Sequence, residues 1–160
     1  TPEFYDEGIP FLSAEAVKGG KLDFNRKRGY ISEEDYELYS QKYTPKKGDI
    51  YMIKSGATTG NTAMVETDRI FNIWSPLAVF RANKLKMMPK FLHYYLMSPN
   101  FKSLVELSWS YGTQQNIGMG VLSNLSIPYG TVSEQTQIAK YLDHKTQIID
   151  ALIEKKKSNS

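Results

Sequence analysis

The chain has 160 residues, 41% hydrophobic and 23% charged, with 20 basic against 17 acidic side chains and no cysteine. That length supports a buried core without a metal or disulfide staple, and the lack of Cys excludes disulfides, thiolate metal sites and thiol nucleophiles. No apolar run approaches the ~18 residues of a membrane helix and no signal-like segment opens the chain, so a cytoplasmic location is expected; the start at Thr1 rather than Met suggests an excised piece.

In chain order, Gly8 to Leu12 is a short apolar run after a Gly and predicts a strand. A loop with Gly19 and Gly20 follows. Ser32 precedes Glu33, Glu34 and Asp35, an N-cap with acids in the first turn, and predicts a helix over 33–41. Asp49 to Lys54 alternates Ile50 and Met52 with Tyr51 and Ile53, as a largely buried strand does. Ser55 to Asn61 reads as a tight polar loop. Two further strands are predicted at Thr62 to Glu66 and Leu77 to Arg81, separated by a turn region with Asp68 and Asn72. Pro89 opens a helix that Ser98-Pro99 closes, a second helix covers Asn100 to Leu107, and Asn124 to Pro128 reads as a last short strand.

From residue 131 the pattern changes. Thr131 and Glu134 form a possible capping box, with Ser133 as a rival N-cap, and no Gly or Pro occurs from there to residue 160. Ile138, Tyr141, Leu142, Ile148, Ile149, Leu152 and Ile153 make an apolar stripe on a helix over 133–157, roughly 37 Å long. Such a helix at the end of a small domain is expected to protrude and pair with another, as in a short coiled coil, through Ile138, Leu142, Ile149 and Leu152. The alternative is that it folds back onto its own domain. The expected division is therefore a domain over 1–130 and a helix over 131–160.

The net charge of +3 hides a pattern. Glu3, Asp6, Glu7 and Glu15 stand unopposed, then Lys18, Lys21, Arg26, Lys27 and Arg28 meet only Asp23. Residues 33–37 hold four acids, residues 81–102 hold five basic groups and no acid, and Leu107 to Ser133 carries no charge. Catalytic signatures are lacking. His93 and His144 fall inside predicted helices, where a core or solvated role is the ordinary one. The loop Gly56 to Thr62 is one residue short of a phosphate-binding loop and has Asn61 where its lysine belongs. Asp150, Glu154, Lys155 and Lys156 mimic a nuclease set but lie on a solvated helix face.

What remains is a chain with basic loops, neutral amides and hydroxyls and 11 tyrosines, which suits the reading of a polar polymer. Lysines and arginines near Gly19-Gly20 can neutralise phosphates, and Gln114, Gln115 and Asn116 carry the paired donor and acceptor that match an adenine edge. The same amides serve equally well to tie down their own loop, and both readings stand.

The succession of segments resembles the specificity subunit of type I restriction-modification systems. The likeness rests on Thr1-Pro2, Gly8-Ile9-Pro10-Phe11-Leu12, Gly29-Tyr30-Ile31-Ser32, Lys47-Gly48-Asp49-Ile50, Ser55-Gly56-Ala57-Thr58-Thr59-Gly60, Gly112-Thr113-Gln114-Gln115-Asn116-Ile117 and Leu122-Ser123-Asn124-Leu125-Ser126-Ile127-Pro128, then Glu134-Gln135 and the apolar helix. Together they cover essentially the whole chain. The family's opening segment before Thr-Pro is absent, so a first strand is expected to be missing, and one recognition domain stands where the full subunit has two. Tyr129-Gly130-Thr131-Val132 replaces the family's proline-containing stretch.

The resemblance implies an α+β target recognition domain with a small, mostly antiparallel mixed sheet and short helices, followed by one long protruding helix of a spacer. It implies a non-catalytic reader of one half of a bipartite double-stranded DNA target. Partners would be DNA methyltransferase (modification) subunits using S-adenosylmethionine, restriction/translocase subunits using ATP and Mg, and a homodimer mate or second half subunit; the chain itself would hold no cofactor or metal. Expected phosphate contacts are Lys18, Lys21, Arg26, Lys27 and Arg28, with Lys54 and Arg69. Expected base-reading or positioning residues are Ser55, Thr58, Thr59 and Asn61 in one loop and Tyr111, Thr113, Gln114, Gln115 and Asn116 in another. Because features common to readers of different sequences cannot encode each sequence, base choice is expected in the less patterned segments 18–28 and 68–76. Trp74 and Trp109 are read as core or loop anchors. The competing classes are an adaptor that joins subunits through its helix and a metal-independent nuclease.

Overall fold

The strand at the centre of the molecule, β5, has every residue buried, and its alternation sorts them into two cores. A computed structural model describes residues 2–75, 77–107 and 116–158. The strands before β5 are β1 (Ile9–Leu12), β2 (Val17–Lys18), β3 (Gly20–Leu22) and β4 (Gly29–Ile31); β5 is Ile50–Ile53, followed by β6 (Thr62–Met64), β7 (Asn72–Ile73) and β8 (Leu77–Phe80). They form a three-stranded sheet in the order β4-β1-β7 and a five-stranded sheet in the order β2-β3-β6-β5-β8. Four pairings are antiparallel; β1 with β7 and β3 with β6 are parallel.

Tyr51 and Ile53 of β5 face a core with Leu12, Val65, Phe71 and Leu77. Ile50 and Met52 face a second core, closed by helices α2 (Pro89–Met97), α3 (Pro99–Leu107) and α4 (Met119–Asn124) through Leu92, Leu96, Phe101, Val105 and Leu122. This is the period-2 burial of a strand covered on both faces. Helix α1 (Glu33–Ser40) begins where predicted, with the Ser32 hydroxyl accepting from the Asp35 N–H at 3.1 Å.

Two expectations are corrected. Asn124 to Pro128 is not a strand: α4 ends at Asn124, and Leu125 and Ile127 pack on the second core outside any ladder. Asn72, assigned to a turn, belongs to β7, and its Nδ2 donates to Ser40 Oγ and the Tyr43 carbonyl. The α+β class and the predominantly antiparallel mixed sheets are as expected.

Helix α5 runs from Val132–Ser158, roughly 40 Å, and its capping box is formed: the Thr131 N–H and hydroxyl donate to Glu134 Oε2, and the Glu134 N–H donates to Thr131 Oγ1. Its first half lies along α2. Gln135 is fully buried; its Oε1 accepts from the Met88 N–H, and its Nε2 donates to the carbonyls of Lys86 and Gly130, all within 2.9 Å. Tyr94 donates to Asp143 at 2.6 Å, and Lys90 pairs with the same carboxylate at 3.1 Å. The side chains that dock are thus polar or small, Gln135, Ala139 and Asp143. The predicted apolar stripe looks outward instead, with Ile138, Tyr141, Ile148, Ile149, Leu152 and Ile153 exposed. The first half of the helix folds back onto its own domain, and the apolar stripe is left bare along its length. No helix among the described residues is long and apolar enough to cross a membrane.

Candidate nucleic-acid interface

The basic segment starts at the hairpin of β2 and β3, whose two-residue turn is Gly19-Gly20 with φ of 58° and 80°. Both positions take the positive φ that a primed hairpin turn demands. The register sets Lys18 directly opposite Lys21. Two like charges so placed repel each other, and an anion between them relieves the repulsion. Lys21 and Arg69 line one shallow groove with Leu22, Phe24 and Thr67, and the Arg69 guanidinium lies 4.9 Å from the Phe24 ring centre.

Beyond the hairpin, Asp23 caps a short 3-10 turn, Phe24–Arg26, and engages Arg26 at 3.5 Å, so this arginine already has an acid beside it. Lys27 sits over the Tyr30 ring at 4.7 Å. Arg28 is 5.7 Å from the Phe4 ring centre and 5.6 Å from that of Trp74. Trp74 belongs to the second unpatterned segment, 68–76. It is half-buried against Phe11 and flanks a groove that also holds Lys42, Lys54 and Ser75. The anchor role expected of Trp74 is visible in its contact with Phe11. Its contact with Arg28 was not foreseen, although the basic run Arg26, Lys27 and Arg28 between the aromatic residues Phe24 and Tyr30 was a signal in the sequence.

Asn116 and Ile117, just after the second neutral segment, meet the first neutral loop. Ser55 pairs with Asn116 as an isolated antiparallel bridge, and the Ile117 N–H donates to the Lys54 carbonyl at 2.8 Å. Within the first loop, Gly56 and Gly60 take φ of 96° and 87°, and the Gly56 carbonyl accepts both the N–H and the hydroxyl of Thr59. Thr59 is therefore engaged within its own turn, whereas Thr58, Asn61 and Asn116 are exposed. Tyr111, Thr113, Gln114 and Gln115, with Trp109, lie outside the described residues. The structure thus brings Lys54, Ser55, Asn116, Trp74 and Arg28 into one neighbourhood through shared contacts, while Lys18, Lys21 and Arg69 sit at the hairpin and its groove.

Elsewhere, polar groups serve the fold. Asp49, 1% exposed, receives Nε and Nη2 of Arg81 at 2.6 and 2.7 Å, the Tyr43 hydroxyl at 2.5 Å and the Lys46 N–H at 2.9 Å. Burial opposes its charge, but the hydrogen bonds from Arg81, Tyr43 and Lys46 outweigh it and hold the carboxyl below the ordinary range. Burial likewise pushes the Tyr43 and Tyr51 hydroxyls far up. His93 is 7% exposed with no partner for Nε2, and burial, then Lys90, lowers it to about 4. It is neutral at neutral pH. Among the described residues no group of three or more His, Cys, Asp or Glu side chains could hold a metal ion.

Comparison with known proteins agrees with this picture. Residues 3–159 match the family model of the type I restriction modification DNA specificity domain. The chain is 25% identical over 154 residues to the type I restriction enzyme EcoBI specificity subunit of Escherichia coli, covering 96% of this chain and 32% of that protein. It is 30% identical over 149 residues, 91% of this chain and 35% of the other, to a Methanocaldococcus jannaschii protein provisionally described as the MjaX specificity subunit. The chain therefore spans about a third of the length of these curated relatives. In fold it is similar to the HsdS subunit from Thermoanaerobacter tengcongensis, with a TM-score of 0.70 at 17% identity over 95% of this chain and 40% of that one.

Proposed function

Because the chain belongs to the type I restriction modification DNA specificity domain family, we propose that it is a sequence-specific reader of double-stranded DNA, taking one half of a bipartite target. The observation that carries this reading is the bridge between Ser55 and Asn116, which sets an exposed amide against the uncharged hydrogen-bonding loop that follows Lys54. Cations at the rim position a duplex through its phosphates, and neutral donors and acceptors between them meet base edges. In this reading Lys18, Lys21, Lys27 and Lys54 contact phosphates, with Arg26 and Arg69 at the margin. Thr58, Asn61 and Asn116 face the groove, while Ser55 and Thr59 hold the loop; Tyr111, Thr113, Gln114 and Gln115 are the further candidates for reading or positioning bases.

The chain itself carries out no chemistry on DNA. Modification subunits supplied with S-adenosylmethionine methylate the target, restriction subunits supplied with ATP and Mg cut, and the assembly works in the cytoplasm. The test is selection from a random duplex pool by the chain bound to a modification subunit, at two salt concentrations. A single enriched half-site with salt-sensitive affinity is expected. No enrichment, or cleavage of DNA by the chain alone, overturns the reading.

A second reading is favoured by the bare stripe on α5: the chain joins subunits through Ile138, Leu142, Ile149 and Leu152 without reading DNA. Ile149→Asp with Leu152→Asp abolishes self-association in light scattering if the stripe pairs helices. A subunit joiner alone gives that loss with no half-site in the selection; a reader that also pairs gives both.

A further inference from the structure

The chain has seven basic side chains where DNA contacts are expected, and their surroundings differ. Arg26 has Asp23 at 3.5 Å, Lys18 and Lys21 stand at a hairpin tip, and Arg69 stacks on a single ring, Phe24. Arg28 differs from all of these. Its guanidinium lies against two aromatic side chains, Phe4 and Trp74, and among the described residues no hydrogen bond or ion pair involves its side chain.

The seat of this arginine is built by the three-stranded sheet. The Arg28 N–H donates to the Phe11 carbonyl at 2.9 Å on one side of β1, and the Trp74 N–H donates to the Leu12 carbonyl at 2.8 Å on the other. Phe11, fully buried, lies under both rings, with centroids 6.1 Å from Phe4 and 6.0 Å from Trp74. Gly29 is part of the seat as well, because a Cβ there would fall 2.6 Å from Phe4 Cδ1. Phe4 can lie against β4 only because residue 29 has no side chain. The three strands of this sheet and the segment before β1 thus converge on one exposed guanidinium.

We propose that Arg28 is a specificity-determining residue, reading the O6 and N7 edge of a guanine in the major groove; this rests on the DNA-reading function above. Three physical reasons support it. A guanidinium presents a rigid fork of donors that matches the two adjacent acceptors of guanine. Contact with the Phe4 and Trp74 rings restricts the side chain before binding, so less rotamer entropy is lost when the fork engages. An arginine without a carboxylate arrives with its donors unspent, and Trp74 borders the groove with Lys42, Lys54 and Ser75, where backbone contacts can hold the register. A phosphate contact requires no such pre-set geometry, and a bare lysine supplies it.

The experiment compares wild type, Arg28→Ala and Arg28→Lys, each bound to a modification subunit, in selection from a random duplex pool, with circular dichroism confirming the fold. Wild type enriches a half-site containing at least one guanine. Arg28→Ala loses preference at one guanine only, keeps the other positions, and binds the wild-type site roughly 10–100-fold more weakly. Arg28→Lys keeps the salt dependence but also loses that guanine. Replacing the guanine with 7-deazaguanine, which lacks the N7 acceptor, weakens wild type and leaves Arg28→Ala unaffected. Unchanged base preference with uniformly weaker binding in both variants overturns the proposal and makes Arg28 a phosphate contact. Failure of wild type to enrich any half-site overturns the DNA-reading function itself, and the proposal with it.

Discussion

Arg81 and Arg28 both lie over aromatic rings, yet they stand in opposite conditions. Arg81 is 5.5 Å from the Tyr43 ring centre and donates to both oxygens of buried Asp49 and to the Thr44 carbonyl. Arg28 has rings and, among the described residues, no acid paired with it. The stack is common to both, so the carboxylate is what separates an arginine consumed by the fold from one held ready at the surface. A forked donor pair satisfied at 2.6 and 2.7 Å has little left for a ligand, whereas an unsatisfied one must find water or a partner.

The comparison breaks first at Asp49. Asp49→Ala removes the acceptor of Arg81, Tyr43 and the Lys46 N–H together; Arg81, 45% exposed, turns to water, while the Tyr43 hydroxyl and the Lys46 N–H lose their buried acceptor, so the expected cost is about 2–4 kcal/mol; urea denaturation measures it. A loss below about 1 kcal/mol shows that the Asp49 pairing contributes little, and Arg81 then joins Arg28. The sign with pH follows from the lowered carboxyl: its contribution is complete above the unfolded carboxylate pKa and fades as pH falls through the folded one. Asp49→Asn flattens that acid limb.

His93 sharpens the contrast from the side of a buried group with no partner. Its pKa falls from 6.5 to about 4, so the unfolded chain takes up the proton first, and stability is complete above pH 6.5 and declines between there and about pH 4. The shift corresponds to about 2–4 kcal/mol across that window. The difference between wild type and His93→Leu isolates it from the carboxylates, and a flat difference from pH 7 to 4 removes this assignment. Acid therefore strikes twice, at His93 first and at Asp49 below it.

The elements legible in the sequence are those whose cause is local. Ser32 before three acids, Pro89 opening α2, the Thr131 and Glu134 box and the alternation in β5 all act within one or two turns, and all are found. Strands β2, β3, β4 and β7 have two or three residues each and exist because distant partners pair with them, as Gly20 does with Ala63 and Asn72 with Phe11. Helix α4 was missed for a related reason: a helix of six residues with Gly120 as its second has poor propensity, and burial of Leu122 holds it. The site divides the same way. Residue chemistry pointed to the basic and amide loops, but the meeting of Arg28 with Trp74, 46 positions apart, depends on β1 lying between β4 and β7. The Lys47 to Ile50 and Glu134-Gln135 signatures, conspicuous in sequence, turn out to hold the fold through Asp49 and Gln135.

A smaller effect refines the buried side of the comparison. Tyr43→Phe deletes one donor to Asp49 and the hydroxyl that contacts Tyr51 at 2.9 Å, leaving Arg81 and the Lys46 N–H in place. The expected cost is about 1–2 kcal/mol, with Asp49→Ala and Tyr43→Phe non-additive in a double-mutant cycle. Additive costs would mean that the hydroxyl stabilises Tyr51 rather than the carboxylate.

The smallest effect is the one that decides the exposed side. Arg28→Ala removes cation–π contacts at a solvent-facing position and the packing of an arginine stem, together about 0.5–1 kcal/mol, and strands no buried charge. Thermal or urea unfolding of Arg28→Ala is therefore expected to stay within about 1 kcal/mol of wild type. A loss above about 2 kcal/mol would mean that Arg28 clamps Phe4 and Trp74 over Phe11 and belongs to the fold as Arg81 does. A small loss in stability joined to a large loss of binding leaves its donors free for a partner, because a residue that contributes little to folding yet is seated by a whole sheet and the segment before it has its seating explained only by what it touches outside the chain.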